Sequence, residues 1–371
     1  MTAAVLALNA GSSSVKFAVA PLADAAAPIL SGLVDRIGAA ESLLTWAGAD
    51  GAASRQTIAA PDHAAALAAI GDAIARCHPD LEMRGVGHRI VHGGAEFAAP
   101  MRVTSGLRDA LRALIPLAPL HQPAGLAGID TAAGLYPHAR QVACFDTAFH
   151  AGKPWVHTAM ALPGEYHDAG LRRYGFHGLA CQSVCRTLAQ EGYPLAARAI
   201  AIAHLGNGCS VTAVKGGRPV TSSMGFSALD GLMMGTRCGR IDPGAILHLL
   251  RQGMDVTGLE DLLYRRSGLL GVSGLSNDMR DLVRADTPDA RRAIEMFTMR
   301  CIEEIARAAG AMGGLDAIVF SGGIGENAAE IRTAIARGLA FLPGRDGAGL
   351  DIRVCPAREE DEILRSVRSL V

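Results

Sequence analysis

The sequence predicts an α/β protein made of two related halves, and three observations support this: the alternation of element types, the chain length and a repeated glycine-bearing hairpin. Short apolar, β-branched runs alternate with longer stretches of helical period, the pattern of strands and helices in turn. The 371 residues are enough for two domains, each with its own core. In the repeat, one strand runs into NAGSSS and out through VKFAVA, and another runs into HLGNGCS and out through VTAVKGG.

Strands are expected at residues 4–8, 15–20, 85–92, 141–146, 199–205, 210–214 and 316–320. Helices are expected at 62–77, 107–114, 178–190, 243–252, 288–310, 326–338 and 358–369. No stretch between 146 and 199 reads as a flexible linker, so the domain change falls near Phe149, where the first repeat ends. Two such halves would enclose a cleft.

Formal net charge is -1, with no run of like charges and no basic stripe interleaved with aromatics. This composition marks neither a nucleic-acid nor a membrane-surface partner and points to small-molecule ligands. The apolar run AAVLAL at 3–8 is far short of the ~20 residues that span a bilayer, and no basic stretch precedes it, so a cytoplasmic protein is expected. The eight cysteines show no C-x-x-C spacing and read as reduced core residues. Cys181 and Cys185, one helical turn apart, read as packing rather than as a metal pair.

The chemistry-bearing residues gather in short motifs. Asn9, Ser12, Ser13, Ser14 and Lys16 surround the first hairpin tip, where free N–H groups and close backbone approach suit an oligoanion. This is not a Walker A loop, which needs its lysine at the start of a helix. Taken alone, the tip is equally a polar turn. GHRIVHGG lacks the glutamate of a zinc-binding H-E-x-x-H; its Arg89, at the end of a buried strand, needs an anion, either an internal carboxylate or a ligand. Asp146 ends the strand of FDTAFH, where open α/β sheets place their ligands, and suits either an orienting role, Mg²⁺ through water or a helix cap.

YGFHG and HLGNG supply His177, His204 and Asn207 beside glycines, and GLMMGTRCGRIDPG supplies Arg237. Two arginines from different halves would neutralise the charge on a transferring phosphoryl group. SNDMRD places Asp278 and Arg280 in a turn, and FSGGIGEN reads as strand, glycine turn and helix start suited to the adenosine part of a nucleotide. Glu359 and Glu360 open the last helix, where carboxylates favour the helix dipole and could also meet Mg²⁺.

In order, LALNAGSSSVKF, GHRIVHGG, LAPLHQP, FDTAFH, YGFHG, HLGNG, MGFSALDGLMMGTRCG, GVSGLSNDMRDL and FSGGIGEN resemble the acetate kinase family of the acetate and sugar kinase, heat-shock 70 and actin superfamily. The resemblance implies duplicated ribonuclease H-like (actin-like ATPase) domains, 1–148 plus 361–371 and 149–360. It also implies a homodimer and reversible transfer from ATP to acetate, giving ADP and acetyl phosphate with Mg²⁺ or Mn²⁺.

The same resemblance implies Asn9 and Glu359 near the metal, and Ser12, Ser14 and Lys16 facing phosphates. Arg89 and Arg237 would hold the acyl carboxylate and the phosphoryl group, His177 would donate to the transition state, and Asp146 would be the essential acid. His121, His204 and Asn207 would complete the phosphoryl pocket, with Gly206, Gly208, Asp278, Met279, Arg280, Gly323, Gly325 and Asn327 at the nucleotide. Val91, Leu120, Phe176 and Ala228 would line the methyl pocket; many members carry proline where this chain has Ala228, which opens the question of propionate. PAREED replaces the family's usual proline-threonine-asparagine-glutamate run around Glu359. A propionate or butyrate kinase and a non-catalytic nucleotide-binding regulator are the alternatives. A sugar kinase or heat-shock-like ATPase would share the hairpins without needing the two arginine motifs.

Overall fold

The computed structural model describes residues 1–11, 13–23, 27–119, 121–347 and 349–371. The chain forms two compact units, Met1–Phe149 joined by Arg358–Val371, and His150–Ala357.

The first unit carries eight strands: β1 (Thr2–Ala10), β2 (Ser14–Pro21), β3 (Leu30–Asp35), β4 (Ser42–Gly48), β5 (Ala53–Ile58), β6 (Leu81–Ile90), β7 (Met101–Arg102) and β8 (Arg140–Phe145). Their order is β5-β4-β3-β2-β1-β6-β8-β7. Strands β1 to β5 form an antiparallel meander, whereas β6 runs parallel to β1 and β8 parallel to β6. The second unit carries β9 (Ala199–Leu205), β10 (Cys209–Lys215), β11 (Arg218–Ser222), β12 (Ala317–Ser321) and β13 (Asp351–Val354), ordered β11-β10-β9-β12-β13.

Both sheets share one plan. An opening strand makes an antiparallel hairpin on one side, and on the other pairs in parallel with a strand that returns much later in the chain. This is the duplicated actin-like arrangement that the resemblance implies. In both units the hairpin tip, and the loop at the end of the returning parallel strand, come to the same edge of the sheet.

The core of the first unit explains why its elements form. Leu6, Phe17, Val19 and Val86 from β1, β2 and β6 are buried against Leu67, Ile70 and Ala73 of the helix His63–Cys77, capped by Asp62. The closing helix Glu359–Leu370 also packs on β1 and β6, and it approaches so closely that β6 needs glycine. A Cβ on Gly87 would lie 2.4 Å from Ile363 Cγ2 and 2.5 Å from Val367 Cγ2.

Several elements differ from expectation. Strands β3 to β5, β11 and β13 and the helix Gln122–Leu135 went unread. Exposed β5 (ASRQTI) has no apolar alternation to betray it, and the helix QPAGLAGIDTAAGL is rich in alanine and glycine. The single helix expected over 326–338 is two, Gly322–Asn327 and Ala329–Gly338, because Ala328 leaves the helical region at φ -97, ψ 84. Asp278, expected in a turn, instead caps the helix Met279–Ala285 by accepting from the Arg280 N–H. Among the described residues no helix is long and apolar enough to cross a membrane.

Gly87→Ala is expected to destabilise the first unit by about 1–3 kcal/mol, the cost of overpacking a filled core. A lowered urea midpoint with an unchanged slope is the measurement that checks it.

Candidate active site

In the first unit the site is built at the strand ends. The Asp146 N–H donates to the Ile90 carbonyl at 2.9 Å, so the last residue of β6 and the first beyond β8 are tied together by backbone. Arg89 then reaches Asp146 with two donors, Nε at 3.0 Å and Nη2 at 2.6 Å to the same Oδ2. Its Nη1 donates to Asn9 Oδ1 at 3.2 Å, and Glu359 Oε2 lies 3.8 Å from Nε. Asn9 Nδ2 in turn donates to Glu359 at 2.7 Å and to Glu360 at 2.8 Å. The structure thus brings Asn9, Arg89, Asp146 and Glu359 into one cluster. Lys16 of β2 pairs directly with Asn9 of β1 and is exposed.

Charge in this cluster is unbalanced, with three carboxylates around one guanidinium. Burial works against the Arg89 charge, but Asp146, Glu359 and Glu360 outweigh it and hold the guanidinium above its ordinary value. Burial likewise pushes the Asp146 carboxyl above the ordinary range, with the Arg89 charge opposing. Glu360 is raised by burial and by Glu359 beside it. Asp146 is fully buried, and its Oδ1 has no hydrogen-bond partner among the described residues.

Such surplus negative charge on hard oxygen donors fits a divalent cation such as Mg²⁺ or Mn²⁺. Among the described residues no three acidic, histidine or cysteine side chains form a closed metal cage. A metal that takes one or two carboxylates and completes its shell with water and phosphate oxygens is the kind this arrangement fits.

Ser14 opens β2, and its carbonyl accepts from the Gly11 N–H at 2.8 Å, closing the hairpin tip. Val91 is buried just past β6, and His121 sits at the start of the helix Gln122–Leu135. Ser12 and Leu120 lie outside the described residues.

The second unit holds a separate set. His177 begins the helix Gly178–Gln190 with a left-handed backbone, φ 56. Its Nδ1 lies 3.0 Å from Ser210 Oγ on β10, and its ring centroid is 4.7 Å from that of His204 on β9. The turn between β9 and β10 presses close: a Cβ on Gly208 would sit 3.2 Å from His177 Nε2, and one on Gly235 only 2.1 Å from Asn207 Oδ1. Arg237 Nη1 donates to the Ala228 carbonyl at 3.0 Å, and Phe176 is buried.

Beside this turn opens a cavity of ≈ 880 Å³ lined by Gly206, Asn207, Asp278, Met279, Arg280, Gly323 and Asn327 among others. Its size is that of a small-molecule site. The hydrogen bonds of Arg280 to Asp278 hold the Asp278 carboxyl below its ordinary value. Gly325 is not on the cavity wall: it is buried, with the Ala203 carbonyl 3.5 Å from where its Cβ would be. Gly322, at φ 76, has no room for a side chain against the Leu205 backbone.

Glu360, expected beside Glu359 at the start of the last helix, shares Asn9 with it. Sequence reasoning left three residues unassigned. Asn277 lines the cavity, Ser210 meets His177, and His63 Nε2 contacts the Gly11 carbonyl at 2.8 Å; none of these carries a local signature.

The chain matches the profile of the acetokinase family over residues 4–356. It is 44% identical to an acetate kinase of Methylocella silvestris, over 100% of this chain and 93% of the relative. It is 45% identical to an acetate kinase of Rhodopseudomonas palustris, over 92% of this chain and 87% of the relative. Among solved structures, it resembles a propionate kinase of Francisella tularensis with a TM-score of 0.91 at 34% identity, covering 100% of both chains. It also resembles Porphyromonas gingivalis acetate kinase with a TM-score of 0.85 at 32% identity, covering 99% of both.

Asp146→Ala is expected to cost about 3–5 kcal/mol of stability, because it removes the buried carboxylate that accepts two Arg89 hydrogen bonds and leaves those donors unmet. Urea unfolding of the variant beside wild type reads this directly.

Proposed function

The chain belongs to the acetokinase family, and we propose that it transfers the γ-phosphoryl group of ATP to acetate, reversibly, giving ADP and acetyl phosphate by direct in-line transfer. The observation that carries this reading is the pairing of Arg89 with a fully buried Asp146, a guanidinium fixed in direction at a strand end and still 17% exposed to receive an anion. Acetate is already a nucleophilic anion, so no strong base is needed; positioning and charge neutralisation supply the rate.

In this reading Asp146 orients Arg89, and Arg89 and Arg237 neutralise the acyl carboxylate and the phosphoryl oxygens. Nδ1 of His177 lies 3.0 Å from Ser210 Oγ, and in the tautomer that accepts there the ring carries its hydrogen on Nε2, from which it would donate to a phosphoryl oxygen as charge develops. Ser12, Ser14 and Lys16 serve the phosphates, His121, His204 and Asn207 complete the phosphoryl pocket, and the cavity of Asp278, Arg280, Gly323 and Asn327 takes the nucleoside. Mg²⁺ or Mn²⁺ would be held through Asn9, Glu359 and Glu360 and would supply charge neutralisation on the phosphates. A cytoplasmic homodimer completes the proposal, each chain having its domain change after Phe149 and its return to the first domain at Arg358 rather than at 361.

Propionate is the second reading, favoured by Ala228, whose small side chain stands where the acetate kinase family commonly has proline. The likeness to the propionate kinase of Francisella tularensis is in keeping with it.

A hydroxamate assay for acyl phosphate with ATP, Mg²⁺ and acetate tests the primary reading. Activity is expected in wild type, with kcat/KM reduced at least about 100-fold in Arg89→Ala and in Arg237→Ala, the scale of one lost transition-state contact. An inactive wild type, or unimpaired variants, would overturn it. Chelation by EDTA should abolish turnover and added Mg²⁺ restore it. Ala228→Pro should lower kcat/KM for propionate relative to acetate by about tenfold, the worth of one methylene in a pocket; an unchanged ratio removes Ala228 as the determinant.

A further inference from the structure

His177 holds a left-handed backbone at φ 56, which an ordinary residue keeps only where its surroundings over-determine it. The segment that leads into it is held from two other parts of the second unit. The N–H groups of Tyr174 and Gly175 both donate to the Gly225 carbonyl, at 2.9 and 3.3 Å. The other hold comes from the residues that follow FDTAF. Lys153 Nζ donates to the carbonyls of Arg173 at 3.1 Å and Tyr174 at 2.7 Å. His150 Nε2 meets the Phe176 carbonyl at 2.9 Å. The His150 ring also fills the space beside Gly175: a Cβ there would lie 2.8 Å from its Cγ, and the backbone is at φ 86.

Lys153 is an unusual residue in this place. It is only 7% exposed, and no carboxylate pairs with it among the described residues. Lysine is almost never buried without a counter-charge. Its charged neighbours are cations: burial first, then Arg173 and Arg307, pushes its ammonium down to about 7. A side chain that gives up its hydration without an ion pair needs a compensating role, and among the described residues the groups it serves are two consecutive carbonyls, three and four residues before His177.

We propose that Lys153 is a positioning residue for His177, tying down the Arg173–Tyr174 backbone so that, with His150 on the Phe176 carbonyl, the 173–177 segment presents the His177 ring in one orientation. This rests on the reading of His177 as a donor in phosphoryl transfer. Without the tether the segment samples other arrangements, and the ring leaves Ser210 and the phosphoryl oxygens for part of the time. The loss then falls on kcat, not on nucleotide binding, because none of these residues lines the nucleotide cavity.

The test uses the full chain with Lys153→Met, and with Lys153→Gln as a shorter variant that keeps a donor should the first fail to fold. Hydrogen exchange of the Tyr174 and Gly175 amides is expected to accelerate at least about tenfold, independently of any activity. In the acetate assay kcat should fall about tenfold or more while KM for ATP stays within about twofold. In a His177→Ala background the same substitution should lower kcat by less than about twofold, since a residue that acts through His177 has nothing left to position. Unchanged exchange, or a full multiplicative loss in the His177→Ala background, overturns the proposal. Should wild type make no acyl phosphate, the kinase reading falls, and the exchange result alone decides whether Lys153 positions the segment.

Discussion

A guanidinium cannot be carried into a protein interior without a partner, and the first unit is arranged around meeting that demand for Arg89. Its carboxylate, Asp146, comes from the neighbouring parallel strand, and the Asp146 N–H to Ile90 carbonyl bond sets the two at one level. Removing either member leaves a buried charge, so the pair locks the ends of β6 and β8 together. Asn9 at the end of β1 joins the same cluster through its two-sided amide, accepting from Arg89 and donating to Glu359 and Glu360.

That last link explains why the chain must come back. Glu359 lies 350 positions from Asn9, and it arrives because the helix Glu359–Leu370 returns to lie on β1 and β6. The helix fits only over a strand with no side chains at Gly85 and Gly87, whose Cβ atoms would strike Val367 and Ile363. Close packing and surplus acidity therefore have one origin, the docking of a helix whose first turn is acidic and which buries Ile363, Leu364 and Val367 together with Glu362.

The second unit solves a different problem, bringing polar groups close to backbone. Gly208, Gly235 and Gly322 each stand where a Cβ would meet another group, so the β9–β10 turn and the start of the helix after β12 lie close together. The result is a cavity whose wall mixes glycine backbone and the polar Asn207, Asn277 and Asn327 with the apolar Met279, Val283 and Ile324, the mixture found in small-molecule sites.

The sequence by itself determined the alternation of strands and helices, the paired glycine-bearing hairpins and the residue types at their tips, because these depend on local periodicity and turn chemistry. It also singled out Arg89, Asp146, His177 and Arg237 as groups needing a partner or a ligand. Tertiary structure alone decided who those partners are. Arg89 meets Asp146 across 57 positions, Asn9 meets a pair of glutamates at the other end of the chain, and Lys153 buries itself against carbonyls 20 and 21 residues on. Nothing local in AGKPW announces a tether, and nothing in the polar, exposed β5 announces a strand, since each takes its state from neighbours distant in sequence. Propensity acts over a few residues, whereas burial and charge pairing act over the folded whole, and only the second kind of interaction chooses among the partners the first leaves open.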